Sequence, residues 1–74
     1  MKITGTRDHI KVDNNGKIAW FDGELGIDGF YAEINSMRWL PPYDKIPVTE
    51  EELKLLINAV ERELSNSKYK VFFN

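Results

Sequence analysis

The sequence predicts an α+β domain: an antiparallel sheet of about four to five strands in the order ββββαβ, with one amphipathic helix, about 49–65, packed on one face. Three observations carry this. The first forty residues alternate apolar and polar side chains, with turn residues between the runs. Apolar residues then recur at helical spacing behind a capping box, and KYKVFF near the end returns to alternation.

Ile3, Ile10 and Val12 sit in period-two settings, with His9, Lys11 and Asp13 alternating to the other face. DNNGK follows, and Asn15-Gly16 is a strong hairpin signal because both residues tolerate the positive φ of a type I′ turn. KIAWFDGEL, residues 17 to 25, is the return strand. Its first half is apolar on both sides, Ile18 and Trp20 against Ala19 and Phe21, so alternation alone assigns neither face. Asp22-Gly23 predicts a bulge or short turn within it.

Asp28-Gly29 marks another turn, and FYAEI then places Phe30, Ala32 and Ile34 on one side with Tyr31, Glu33 and Asn35 on the other. The parity changes after Asn35-Ser36, where Met37 and Trp39 become the apolar positions. A one-residue slip exchanges the faces, so a bulge or kink is expected there. Pro41 and Pro42 end sheet pairing, because neither can donate a backbone hydrogen bond.

The helix is fully signposted. Thr49 and Glu52 form the capping box T-x-x-E, and Val48 with Leu53 has the spacing of a hydrophobic staple. Glu50, Glu51 and Glu52 lie at the positive end of the helix dipole. Leu53, Leu56, Ile57, Val60 and Leu64 define one apolar stripe, and Ser65-Asn66-Ser67 stops the helix. In the closing strand, Tyr69, Val71 and Phe73 alternate against Lys68 and Lys70.

Seventy-four residues make one domain, residues 1–74, and 42% apolar content supports a single core. There is no cysteine, hence no disulfide framework, which leans towards a reducing, cytoplasmic setting. Ten basic and twelve acidic residues give a charge of −2, which argues against nucleic acid as a direct partner. No apolar run approaches the roughly 20 residues of a membrane span, and MKITGTRDHI lacks the apolar segment of a signal peptide.

No catalytic constellation is visible, so no enzyme activity is expected. His9 is the only histidine, and on a strand its neighbour Asp8 would point to the opposite face, excluding an acid–base pair. Glu24 and Glu33 are exposed carboxylates without a second group at a defined spacing. No Cys/His spacing or calcium loop appears, and Asp13-Asn14-Asn15-Gly16 is a turn, so neither metal nor cofactor is expected.

Two features admit a functional reading beside a structural one. The helix is acidic, with Glu50, Glu51, Glu52, Glu61 and Glu63 against Lys54 and Arg62, which makes either a solvated face or a docking surface for a basic partner. Trp39, Pro41, Pro42 and Tyr43 form the joint between sheet and helix. Trp39 reads as a core cap and the prolines as stiffeners, while Tyr43 suits either a structural role or an interface anchor.

The whole chain resembles small immunity proteins of bacterial polymorphic-toxin systems, including those of contact-dependent growth inhibition. The resemblance runs through TRDHIKVDNNGKI, GELGIDGFYAEINSM, the W-L-P-P-Y segment from Trp39 to Tyr43, and the VTEEELKLLINAV helix. It implies a non-catalytic binder that blocks the toxic domain of a secreted effector, often a nuclease. It transfers no binding residues to this chain.

Combined with the residue reading, it points to Tyr43, Asp44, Glu50 and Glu51 as partner contacts, with Trp39, Pro41, Pro42, Thr49 and Glu52 structural. The protein is expected to be a monomer or weak homodimer. The other reading is a small structural or regulatory domain that self-associates through its open sheet face or an edge strand.

Overall fold

The computed structural model describes residues 1–74 and has the expected α+β architecture. Strands β1 (Lys2–Gly5), β2 (His9–Asn14), β3 (Lys17–Leu25), β4 (Phe30–Ala32) and β5 (Arg38–Trp39) precede helix α1 (Glu50–Glu63) and strand β6 (Val71–Phe73). Hydrogen-bonded neighbours run β1-β2-β3-β4-β6, with β5 also paired to β3. There is thus one strand more before the helix than ββββαβ allows, because the turn at Thr6–Asp8 separates β1 from β2.

The Asn15-Gly16 turn behaves as its chemistry requires. Asn15 has φ 55° and Gly16 φ 90°, and the Asp13 carboxylate accepts the Gly16 N–H at 2.8 Å. The two-residue loop fixes Asn14 opposite Lys17, and hence Ile10 opposite Phe21 and Val12 opposite Ala19. All four side chains are fully buried.

Strand β3 is the spine. One flank pairs with β2; the other pairs with β5 at Ala19–Trp20 and with β4 at Gly23–Leu25. It runs through Asp22-Gly23 as one continuous strand without a turn, and the backbone bonds to the other flank slip by one residue there, from Gly23–Asp8 to Leu25–Arg7. Gly23 also serves close approach: a Cβ there would collide with the Tyr31 carbonyl and lie 2.6 Å from the Phe30 ring.

The kink expected near Asn35-Ser36 is a turn of 3-10 helix, Ile34–Ser36. The Ser36 hydroxyl takes the place of a missing strand neighbour. It accepts the Asp22 N–H at 2.8 Å and donates to the Glu33 carbonyl at 2.6 Å. The parity change therefore hands the flank of β3 from β4 to β5.

All pairings are antiparallel except β4–β6, which is parallel, so the sheet is mixed. The reason is topological. Between β4 and β6 the chain crosses over through α1 and re-enters in the original direction. On one side of the sheet, Leu56 and Val60 of α1 pack with Ile10, Val12, Ala19, Phe21, Phe30, Ala32 and Trp39. No helix is long and apolar enough to cross a membrane.

Candidate functional site

The joint between sheet and helix is organised around one cation. Lys17, first residue of β3, holds its Nζ 4.2 Å from the centre of the Trp39 ring and 5.5 Å from that of Tyr43. The same ammonium lies 3.6 Å from Glu52 Oε2 in the first turn of α1. Trp39 is only 6% exposed, so it caps the core as its size demands, while Tyr43 is 36% exposed.

Local structure fixes each part. The Tyr43 N–H donates to the Leu40 carbonyl at 2.9 Å, and the Tyr43 carbonyl accepts from Ile46 N–H at 3.0 Å, so two consecutive turns hold it. The first of them contains the cis Pro41–Pro42 peptide. The capping box is complete: Thr49 Oγ1 accepts the Glu52 N–H at 3.1 Å, and Glu52 accepts the Thr49 N–H at 3.4 Å. The Thr49 backbone N–H first, then its hydroxyl and Lys17, hold the Glu52 carboxyl below its ordinary range. Beside these residues a hollow of about 250 Å³ opens among Lys17, Trp39, Glu52, Leu55, Leu56 and Ala59.

Asp44, Glu50 and Glu51 are exposed, and none enters an ion pair or accepts a side-chain hydrogen bond. Asp44 sits in the crossover loop next to Tyr43; Glu50 and Glu51 begin the helix. The structure thus ties Tyr43 to the helix start through Lys17 and Glu52, and leaves the other carboxylates facing water. Tyr43, Ile46 and Leu55 are exposed apolar groups of the crossover and helix.

A second constellation, absent from the sequence reading, covers the sheet face opposite α1. The His9 ring stacks on Trp20 at 3.7 Å, and Trp20 Nε1 donates to Asp22 Oδ1 at 2.7 Å. Arg38 donates to Asp22 Oδ2 at 3.1 Å, and Arg38 first, then Trp20, hold the Asp22 carboxyl below the usual range. Further along, Tyr31 stacks on Phe72 at 5.1 Å and donates to Asp28 at 2.6 Å, which pushes its phenol upward.

One expectation is corrected here. Asp8 and His9 do pair, with Asp8 Oδ1 at 2.9 Å from His9 Nδ1, because Asp8 lies in the turn before β2 and escapes strand alternation. Thr6 Oγ1 meets the same ring nitrogen at 3.0 Å. A nucleophile–histidine–carboxylate relay needs the two ring nitrogens engaged separately, so this cluster is not one. Nowhere do three His, Asp or Glu side chains converge as metal ligands.

A small α+β domain with a preformed, partly aromatic and acidic surface matches the family model described as Immunity protein 74 over residues 2–74. The chain belongs to that family. This is an immunity-protein family of polymorphic toxin systems, and it implies a toxin protein as partner. No curated protein and no solved structure matches the chain. For an Immunity protein 74 member, the surfaces just described matter as places where another protein can dock.

Proposed function

We propose that this immunity protein neutralises a cognate toxin domain of nuclease type by stoichiometric binding in the cytoplasm, without chemistry of its own. The match of residues 2–74 to the immunity family carries the reading. The contact is made in part by Tyr43, Asp44, Glu50 and Glu51.

Three properties of the joint support that contact set. The Tyr43 backbone is fixed by two turns and its ring stands over the Lys17 ammonium, so little ordering entropy remains to be lost on binding. The neighbouring carboxylates are unpaired, which leaves their charge available to a basic surface. A nuclease needs such a surface for phosphates, and an acidic protein patch competes for it.

The test is co-expression with the toxin domain encoded beside this protein, followed by titration of the purified pair. Protection with a saturating stoichiometric complex is expected. A toxin that stays active and shows no binding overturns the reading.

A further inference from the structure

The sheet face opposite α1 has no covering layer, and its side chains fall into two rows of unlike charge. Backbone pairing sets Lys11 opposite Trp20, and Trp20 opposite Arg38, in one row across three strands. Lys11 Nζ and Arg38 Cζ stand 5.7 Å and 5.3 Å from the Trp20 ring centre, so the row is an aromatic flanked by two cations, of which Arg38 is paired with Asp22. Four residues along β3, roughly 13 Å away, Glu24 pairs with Tyr31 and Tyr31 with Phe72. Around this second row, Asp8, Glu24 and Glu33 line one shallow hollow with Tyr31, against the single cation Arg7. Asp28 is held on the Tyr31 hydroxyl.

A face positive at one end and negative at the other is complementary to itself. We infer that two copies of this chain associate face to face here, about a two-fold axis that crosses the strands near Asp22. That operation lays the Trp20 row of one copy over the Tyr31 row of the other, twice. Lys11 and Trp20 then meet the end of the second copy that carries Asp8 and Glu24, and Arg38 meets Tyr31, so that Trp20 and Tyr31 are covered between the sheets.

Trp, Tyr and Arg are the residue types that dominate interface energetics. Here the His9 stack, the Asp22 bonds and the Asp28 bond already hold them in place. The molecular outline of 34 × 21 Å leaves such a face at most about 700 Å² in projection, below the ~800 Å² per partner of a standard interface. The dimer is therefore reversible and depends on salt. Because α1 and the joint lie on the other side of the sheet, both copies keep the joint free for a toxin.

Sedimentation equilibrium of the full chain over a wide concentration range tests this, with paired charge reversals. Lys11→Glu with Arg38→Glu in one chain, and Glu24→Lys in another, should each weaken self-association at least about tenfold. Mixing the two should restore a heterodimer, because both ends become complementary again. Lys11→Glu alone, which breaks no hydrogen bond, serves if loss of the Arg38–Asp22 pair unfolds the first chain. A wild-type chain that stays monomeric throughout overturns the inference, as does a folded mixture that remains monomeric. A monomer whose outer-face variants lose toxin binding overturns it too, and assigns the face to the toxin. Loss of dimer with toxin protection intact separates this inference from the neutralisation reading.

Discussion

The Lys17 ammonium stands over the face of Trp39, 4.2 Å from the ring centre, and it also reaches Glu52 at 3.6 Å. One side chain at the start of β3 thereby joins the last strand before the crossover to the first turn of the helix. A cation over a buried indole contributes about 1 kcal/mol, whereas the partly exposed ion pair adds less. Lys17→Ala should lower stability by about 1 kcal/mol, and Lys17→Arg should restore most of it because a guanidinium also stacks on indole. Urea midpoints followed by Trp fluorescence decide this; an unchanged midpoint for Lys17→Ala would mean the contact is energetically idle.

The capping box gives a second expectation. Thr49→Ala removes the acceptor for the Glu52 N–H and should cost about 1 kcal/mol, lowering the melting midpoint by several degrees in a domain this small. An unaltered thermal transition would show that the helix start gains nothing from its cap.

Side-chain burial along α1 sets a third. Leu56 is 5% exposed inside the core cluster, while Lys54 points to solvent. Leu56→Ala should cost roughly 2–5 kcal/mol, and Val60→Ala should also destabilise clearly. Lys54→Ala should change little. Comparable losses at positions 54 and 56 in chemical denaturation would contradict the packing described.

Acid stability follows from Asp22. Its folded pKa lies below the ordinary 3.8, through Arg38 first and Trp20 second. A lowered folded value contributes stability that is present above the unfolded pKa and lost as pH falls through the folded one. Stability should therefore decline below about pH 4, and Asp8 and Glu52, both lowered, act in the same direction. Asp22→Asn should show a shallower acid limb than the wild type. Parallel limbs in the two proteins would remove Asp22 from the account.

For toxin binding, the joint separates rate effects. Charge reversal at Glu50 and Glu51 should slow association and reduce its dependence on ionic strength. Tyr43→Ala should mainly hasten dissociation, since a lost anchor acts on the bound state. None of the three is buried, so the fold should survive each change. Stopped-flow measurements at two salt concentrations suffice, and unchanged rates in both variants would place the contact elsewhere on the surface.

Local chemistry was legible wherever a residue acts on its immediate neighbours. The T-x-x-E box, the Asn15-Gly16 turn, the apolar stripe of α1 and the burial of Trp39 all follow from short-range rules, and the structure shows each of them. The outer face was partly within reach. A two-residue hairpin loop fixes Asn14 opposite Lys17, which by counting sets Lys11 opposite Trp20 and turns Trp20 away from buried Ala19 and Phe21. That signal resolves the strand whose two faces both looked apolar.

What only the tertiary structure decided concerns partners distant in sequence. The flank of β3 passes from β4 to β5 because Ser36 satisfies the Asp22 backbone, fourteen residues away, which no local pattern encodes. The parallel pairing of β6 with β4 is set by where the crossover helix returns the chain. The meeting of Lys17 with Trp39, Tyr43 and Glu52 depends on the same crossover. Alternation and capping are properties of neighbouring backbone groups, so the sequence alone determines them. Which strands and side chains meet is settled by core packing and loop closure across the whole chain, and only the folded molecule specifies it.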